Sequence, residues 1–230
     1  MKRKLISLLA IFISICSYAQ KDVTTFLGIP VDGTKASMRQ KLISKGFIPK
    51  KVDDTEHFEG EFNGTKVNIF IATNNNKVYR IMVCDAIPQD ETNIRIRFNR
   101  LISQFENNKR YLEVENKTIP EKEDISYEMK IHNKNYEAIF YQTPDMGKVD
   151  SVAIQTQLRE QILEKFTPEQ LEDPSMEEEV KKEFQAASTR IGMDLISKKP
   201  VWFKISENFG QYYIAIFYDN EYNHANGEDL

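Results

Sequence analysis

Cysteine and histidine are scarce in this chain. Among its 230 residues there are two cysteines, Cys16 and Cys84, and three histidines that lie far apart. Cys16 falls in a segment that we expect to be removed, so Cys84 is left alone and an intramolecular disulfide is excluded. No His-x-x-x-His, Cys-x-x-Cys or Gly-x-Ser-x-Gly motif occurs. The usual zinc and serine-nucleophile signatures are therefore missing, and we predict neither a cofactor nor a metal.

The chain also lacks a basic run beyond its first residues and a second long apolar run. Without Lys2, Arg3 and Lys4, 28 lysines and arginines stand against 35 acids, a net charge of −7. Nucleic-acid binding needs a basic face, so we expect no nucleic-acid partner. A membrane-spanning helix needs about 20 apolar residues, and we predict no transmembrane segment. The oligomeric state stays open.

The N-terminus has the three parts of a secretory signal peptide. A basic start is followed by an apolar run over residues 5–15 and by a small-x-small pattern that ends at Ala19. We predict that residues 1–19 are removed and that the mature protein is exported, to the periplasm or to the cell exterior. A lipid anchor at Cys16 is disfavoured because Ile15, rather than a small residue, precedes it.

The first half of the mature chain predicts a helix, a three-stranded meander and a second helix. The strand-like segments are residues 57–62, 65–72 and 78–84, and Asn63-Gly64 between the first two is a strong hairpin signal. After the meander, apolar residues at a helical period predict an amphipathic helix that packs on the sheet. These residues are Ile94, Phe98, Leu101, Ile102 and Phe105.

The second half predicts two related hairpins, residues 127–142 and 202–219, that bracket a helical insertion over residues 151–196. Both hairpins contain Lys-Ile, a polar turn and Tyr-x-Ala-Ile-Phe-Tyr. Tyr127 and Ile131 belong to an alternating apolar pattern that is typical of a half-buried strand.

The predicted fold class is therefore α+β. An antiparallel sheet combines the three-stranded meander with the two hairpins, and amphipathic helices pack on it. We predict a single domain over residues 20–230, with sub-halves at residues 20–108 and 109–230.

The segment Phe-Leu-Gly-Ile-Pro-Val-Asp-Gly-Thr-Lys at residues 26–35 has two interpretations. It could bind an anion at a helix N-terminus, or it could serve only to begin a helix. We favour the second, because Thr34 can cap the first turn and neither a phosphate-loop motif nor a βαβ context is present. Gly46 and Phe47 then form the expected Schellman ending.

Aromatic residues cluster in the last hairpin, where we expect a ligand- or partner-binding surface if the protein has one. The candidate residues are Trp202, Tyr212, Tyr213, Tyr218, Asp219 and Asn220. Tyrosine and tryptophan combine apolar area with a polar group, a combination used at protein interfaces and glycan sites. The alternative is that these side chains pack the core.

Carboxylates between Asp53 and Glu61 offer a different function. Glu59 and Glu61 are two residues apart on one predicted strand and point to the same face, as an acid/base pair for sugar hydrolysis would require. A solvent-facing strand carries such pairs without any catalytic role. A secreted hydrolase that acts on glycan or peptide is therefore the alternative function.

Two stretches of the chain resemble an uncharacterised family of secreted Bacteroidetes proteins. They are the opening Phe-Leu-Gly-Ile-Pro-Val-x-Gly with the later Leu42-x-x-x-Gly46-Phe47, and the ending Tyr-Asp-Asn-x-x-Asn-x-Ala-x-Gly-Glu-Asp-Leu at residues 218–230. The family has no known activity, so the resemblance implies a location and no reaction. Asp150-Ser151-Val152 also resembles an O-glycosylation acceptor used in the periplasm of Bacteroidetes, which makes Ser151 a possible modification site.

From these features we predict an exported, non-catalytic binding or envelope-associated protein. Its partner would be an unknown envelope protein or a glycan. The export signal, the missing catalytic motifs and the aromatic-rich strands support this prediction.

Overall fold

The computed structural model describes residues 21–113 and 115–225. The predicted signal peptide, Cys16 and residues 226–230 of the closing motif lie outside the described residues. The described chain forms two compact units, one of residues 23–143 and 194–225 and the other of residues 21, 22 and 144–193. Most of the predicted helical insertion belongs to the second unit.

The first unit contains a short ribbon and a large antiparallel sheet. The ribbon pairs β1 (Thr25–Phe26) with β2 (Ile29–Pro30). The strands of the sheet are β3 (Ile48–Val52), β4 (Thr55–Phe62), β5 (Thr65–Asn74), β6 (Lys77–Asp85), β7 (Tyr111–Glu113), β8 (Glu137–Gln142), β9 (Pro200–Asn208) and β10 (Gln211–Asp219). Their spatial order is β3-β4-β5-β6-β10-β9-β8-β7. Strands from both predicted halves thus share one sheet, joined where Ala215 of β10 lies opposite Cys84 of β6.

Three helices of this unit are α1 (Lys35–Ser44), α2 (Glu91–Glu106) and α3 (Ile125–Ile131). Helix α1 contacts β5 and β6, and α2 contacts β7, β9 and β10. The second unit contains α4 (Ser151–Leu163), α5 (Pro168–Glu172) and most of α6 (Glu177–Ser197). The prediction of an α+β fold with helices packed on an antiparallel sheet is confirmed.

The hairpins of the meander form where the turn residues predict them. Asn63 and Gly64 adopt φ values of 52° and 69°, and Asn75 and Asn76 adopt 46° and 60°. Two consecutive residues with positive φ give the tight turn whose twist matches that of the flanking strands, and asparagine and glycine tolerate this conformation best. The three predicted strands of the meander are confirmed, and β3 adds a fourth strand at the edge of the sheet.

The prediction of a hairpin over residues 127–142 is wrong for its first strand. Residues 125–131 form helix α3, so residues 127–142 do not form a hairpin. Asp124 caps this helix, because its carboxylate accepts a hydrogen bond from the Tyr127 N–H at 2.8 Å. Ile125 is buried, whereas Tyr127 and Ile131 are exposed, so the alternation that suggested a strand does not correspond to burial. Only the second arm of that hairpin, β8, is a strand.

The core of the sheet unit lies between the sheet and α2. All five apolar positions of the predicted amphipathic helix are buried. The Phe98 ring packs on Phe203 with centroids 5.1 Å apart, and Phe105 packs on Phe140 at 4.8 Å. This contact between helix and strands confirms the expected packing of α2.

The N-terminal ribbon also enters this core. The ring of Phe26 lies 5.3 Å from that of Phe62 and 5.0 Å from that of Tyr218. The segment then leads into α1, where the Thr34 hydroxyl accepts from the Ser37 N–H and the Phe47 N–H bonds to the Leu42 carbonyl. Gly46 has φ of 92°, so both predicted ends of α1 are confirmed.

Candidate functional site

Strand β10 separates the predicted binding residues into two groups. Successive side chains of a strand point to opposite faces, so Tyr212 and Tyr218 face the buried core while Tyr213 and Asp219 face the other side of the sheet. Burial raises the pKa of the Tyr218 hydroxyl well above its ordinary value, and this hydroxyl is hydrogen-bonded to Tyr111. Tyr212 and Tyr218 are therefore core residues that a ligand on the opposite face does not reach.

Asn220 has a structural role as well. Its side chain is fully buried, donates to the Val31 carbonyl at 2.7 Å and accepts from the Tyr222 N–H at 3.0 Å. It thereby joins the N-terminal ribbon to the turn after β10. Of the six candidates, Trp202, Tyr213 and Asp219 remain on the face opposite α2.

A stacked cluster of four side chains occupies the middle of this face. Trp202 on β9 lies opposite Phe217 on β10, with ring centroids 4.0 Å apart and planes tilted by 16°. The guanidinium carbon of Arg80, on β6, lies 5.0 Å from the Phe217 ring and 5.4 Å from the Trp202 ring. Arg80 thus lies beside the stacked pair, within the distance at which a cation is attracted to an aromatic ring.

Asp219 completes the cluster. Its buried carboxylate accepts two hydrogen bonds from Arg80, at 2.6 and 2.7 Å, and one from the Trp202 indole N–H at 2.8 Å. The Asp219 carboxylate also raises the pKa of the Arg80 guanidinium further above its ordinary value. Because each polar group has a partner, the cluster holds Trp202 in one orientation.

A cleft of about 560 Å³ lies beside this cluster, and we name it the Trp202 cleft. Its apolar side consists of Ile139, Tyr141, Pro200 and Trp202, from the adjacent strands β8 and β9. Its polar side consists of Glu137, Ser197, Lys198, Asp219 and Glu221. An apolar surface with a few polar groups of both signs is typical of a ligand site.

The carboxylates between Asp53 and Glu61, on which the alternative hydrolase depends, have surroundings that differ from one to the next. Asp54 is fully exposed in the β3–β4 turn, and Glu56 pairs with Arg39 at 2.8 Å. Glu59 lies 3.6 Å from His57. Glu61 lines a separate cleft in which no other carboxylate of this segment takes part. Glu59 and Glu61 both lie exposed on β4, and an acid/base pair between Asp53 and Glu61 stays a prediction.

Cys84 and clusters of metal-ligating side chains are the other candidates for chemistry in the described chain. Burial raises the pKa of the Cys84 thiol to about 11, with a smaller contribution from Asp85. The thiolate that acts as a nucleophile is then rare at neutral pH. Within residues 21–113 and 115–225, no three His, Cys, Asp or Glu side chains are grouped so that they could hold a metal ion.

Ser151 lies at the start of α4, where it is exposed. The carboxylate of the preceding Asp150 caps the helix and accepts from the N–H groups of Val152 and Ala153, both at 3.0 Å. Glycosylation of Ser151 stays a prediction.

The sequence interpretation missed Arg80, Phe217 and Tyr141. A charged residue inside the apolar run of β6 is a usable signal, because a charge at such a position normally has a buried partner. The sequence does not indicate which carboxylate pairs with Arg80, because Asp219 is 139 residues away.

Comparisons with known proteins identify no relative. The chain matches no family model, no curated protein and no solved structure. None of the helices in the part of the chain that the structure describes has the length and apolar character needed to cross a membrane.

Proposed function

We propose that this chain is an exported, non-catalytic binding protein that holds a glycan in the Trp202 cleft. The observation that carries the proposal is the fixed position of Trp202, stacked on Phe217 and hydrogen-bonded to Asp219 at the side of a concave surface. A sugar ring has apolar C–H faces and a rim of hydroxyls, and it needs both an apolar surface and nearby polar groups.

The cleft provides both kinds of group. Trp202, Tyr141 and Ile139 supply apolar area, and Lys198 and Glu221 supply a donor and an acceptor at the rim. Because Arg80 and Asp219 already hold Trp202 in place, little side-chain entropy is lost when a ligand binds. This preorganisation favours stacking of the apolar face of a sugar ring on Trp202.

The same cluster favours binding over catalysis. The Asp219 carboxylate forms an ion pair with Arg80 through two hydrogen bonds and accepts a third from Trp202, so its oxygens are engaged within the cluster. Glycosidic hydrolysis needs two carboxyl groups in separate protonation states on either side of the bond. Glu137 and Glu221 also line the Trp202 cleft, so hydrolysis of a bound glycan stays the alternative function.

Export and the resemblance to secreted Bacteroidetes proteins remain parts of the proposal. Cleavage after Ala19 would leave a protein that begins at Gln20 and carries no lipid. Cell fractionation with intact-mass measurement tests this. A full-length product retained inside the cell contradicts export.

Trp202 provides a direct assay, because it is the only tryptophan of the chain. Mature protein is titrated with neutral hexasaccharides of glucose and of N-acetylglucosamine while tryptophan emission is followed. We expect at least one sugar to give a saturable change in emission. Calorimetry with the same sugar should show that Trp202→Leu and Tyr141→Leu weaken binding at least tenfold.

Tyr127→Leu is the matched control, because Tyr127 is an exposed aromatic residue outside the cleft. It should bind as the unchanged protein does, and circular dichroism checks that each variant is folded. Failure of every sugar to bind contradicts the glycan proposal. If the unchanged protein captures another protein from cell envelopes and Trp202→Leu does not, the partner of the cleft is a protein and not a glycan.

A further inference from the structure

A second cleft lies on the α2 side of the sheet, away from Trp202, and we name it the Leu27 cleft. Its volume is about 400 Å³. Its floor contains the buried Leu101 and four aromatic residues, Phe62, Phe105, Tyr111 and Tyr218. These rings come from β4, α2, β7 and β10, so the floor is formed by elements that the core already holds in place.

The rim of the Leu27 cleft is polar and almost uncharged. Asn63, Gln104 and Asn108 contribute amides, and the Asn63 side chain donates to Gln104 at 2.7 Å across the rim. Amides both donate and accept hydrogen bonds. Glu61 is the one carboxylate among the described lining residues, and no lysine, arginine or histidine is among them. The lining itself therefore supplies no cation to an anionic ligand, although Arg110 acts electrostatically on Tyr218.

Leu27 itself is unusual in its backbone and in its exposure. Leu27 has φ of 50° and Gly28 has φ of 77°, and together they form the two-residue turn between β1 and β2. Leu27 takes the first of the two left-handed positions. Asparagine or glycine is normal at this position, and a bulky residue is an outlier. The side chain is nevertheless 41% exposed and lines the cleft.

One other turn of the described chain places a bulky apolar residue at the same left-handed first position. Phe209 has φ of 51° and Gly210 has φ of 77°, in the turn between β9 and β10. Phe209 is 97% exposed and does not line the Leu27 cleft. The two turns form a matched pair in which only Leu27 stands beside a preformed aromatic cavity.

We propose that the Leu27 cleft binds a small, neutral and mostly apolar molecule that carries a hydrogen-bonding group. The aromatic floor and Leu27 enclose the apolar part, and the rim amides bind the polar group. The volume limits the ligand to about the size of two or three fused or linked rings. This site is independent of the Trp202 cleft and of the glycan proposal.

Two dyes that share one carbon frame test the proposal. N-phenyl-1-naphthylamine is neutral and apolar, and 8-anilino-1-naphthalenesulfonate is the same frame with an added sulfonate. Both become fluorescent when they leave water. We expect mature protein to bind the neutral dye saturably at one site, and to bind the sulfonate at least tenfold more weakly.

Leu27→Asn removes the apolar side chain that lines the cleft and introduces a residue type that is common at this position of the turn. It should remain folded and bind the neutral dye at least tenfold more weakly. Phe209→Asn makes the equivalent change at the matched turn and should leave binding unchanged. Equal losses in both variants, or no saturable binding by the unchanged protein, would overturn the proposal.

Gln104→Lys gives a second test that does not depend on the turn. Gln104 is exposed on α2, where a helix accepts lysine readily. The new charge lies at the rim, so this variant should bind the sulfonate dye at least tenfold more tightly than the unchanged protein does. An unaltered preference between the two dyes would place the bound dye elsewhere and refute the site.

Discussion

Replacing Arg80 by methionine keeps the apolar stem of the side chain but removes the guanidinium that faces Asp219. The Asp219 side chain is 3% exposed and that of Arg80 is 24% exposed, so the carboxylate would be left buried without its cation. Breaking a buried ion pair on one side costs about 3–5 kcal/mol. Because the Trp202 indole still donates to Asp219, we expect the lower end, about 3 kcal/mol of lost unfolding free energy.

The assay is urea unfolding followed by circular dichroism, because the fluorescence of Trp202 would change with its surroundings. Arg80→Met, Asp219→Asn and the double variant form a thermodynamic cycle. We expect a coupling free energy of about 2 kcal/mol, since the two residues share two short charge-assisted hydrogen bonds. The double variant should therefore lose clearly less stability than the two single losses added together.

Arg39→Met is the control, because the Arg39–Glu56 pair has a similar distance of 2.8 Å but side chains that are 38% and 27% exposed. An exposed pair contributes about 0–1 kcal/mol, so this variant should lose less than about 1 kcal/mol. A coupling free energy near zero between Arg80 and Asp219, or equal losses in Arg80→Met and Arg39→Met, would refute the reasoning. Trp202 would then not be held by a buried ionic network.

Three further expectations concern other parts of the sheet unit. A Cβ at Gly60 would lie 2.3 Å from Cδ1 of the buried Phe47 ring, so Gly60→Ala should lower the unfolding free energy by about 1–3 kcal/mol; a more stable variant in urea unfolding would contradict this contact. The raised pKa of Cys84, about 11, should make its reaction with Ellman's reagent near pH 8 much slower in the folded protein that lacks residues 1–19 than in denaturant, and equal rates would show an open thiol. The Lys134 ammonium holds the pKa of Glu123 below its ordinary value of 4.5, so the stabilisation from Glu123 is present above that pH and is lost as the pH falls through the lowered folded-state value. Urea unfolding of Glu123→Gln should accordingly show a deficit at pH 7 that narrows toward pH 3, and a deficit that does not change with pH would exclude the ion pair as its cause.

The local elements followed from short-range signals. Asn63-Gly64 predicts its hairpin because few residues tolerate two consecutive positive φ values. The apolar spacing from Ile94 to Phe105 predicts the buried stripe of α2 because side chains three and four residues apart share one face of a helix. Residues 127–131 show where such signals fail. Their alternation fits a strand, but the cap at Asp124 and the burial of Ile125 favour a helix.

The candidate site depended mostly on contacts between distant residues. The aromatic content of the last hairpin drew attention to Trp202 and Asp219, but it could not separate them from Tyr218, which faces the core. That division follows from which face α2 covers. Arg80 was absent from the candidates because its partner is 139 residues away.

By itself, the sequence determined the α+β class, most turns and the ends of α1, because backbone conformation and amphipathic spacing are set within a few residues. The tertiary structure alone decided that β6 pairs with β10, which joins the two predicted halves in one sheet. It also decided that Leu27 lines a cavity and that Arg80 meets Asp219. These arrangements depend on pairings between segments more than 100 residues apart, and no local pattern specifies which distant strand or side chain will be the partner.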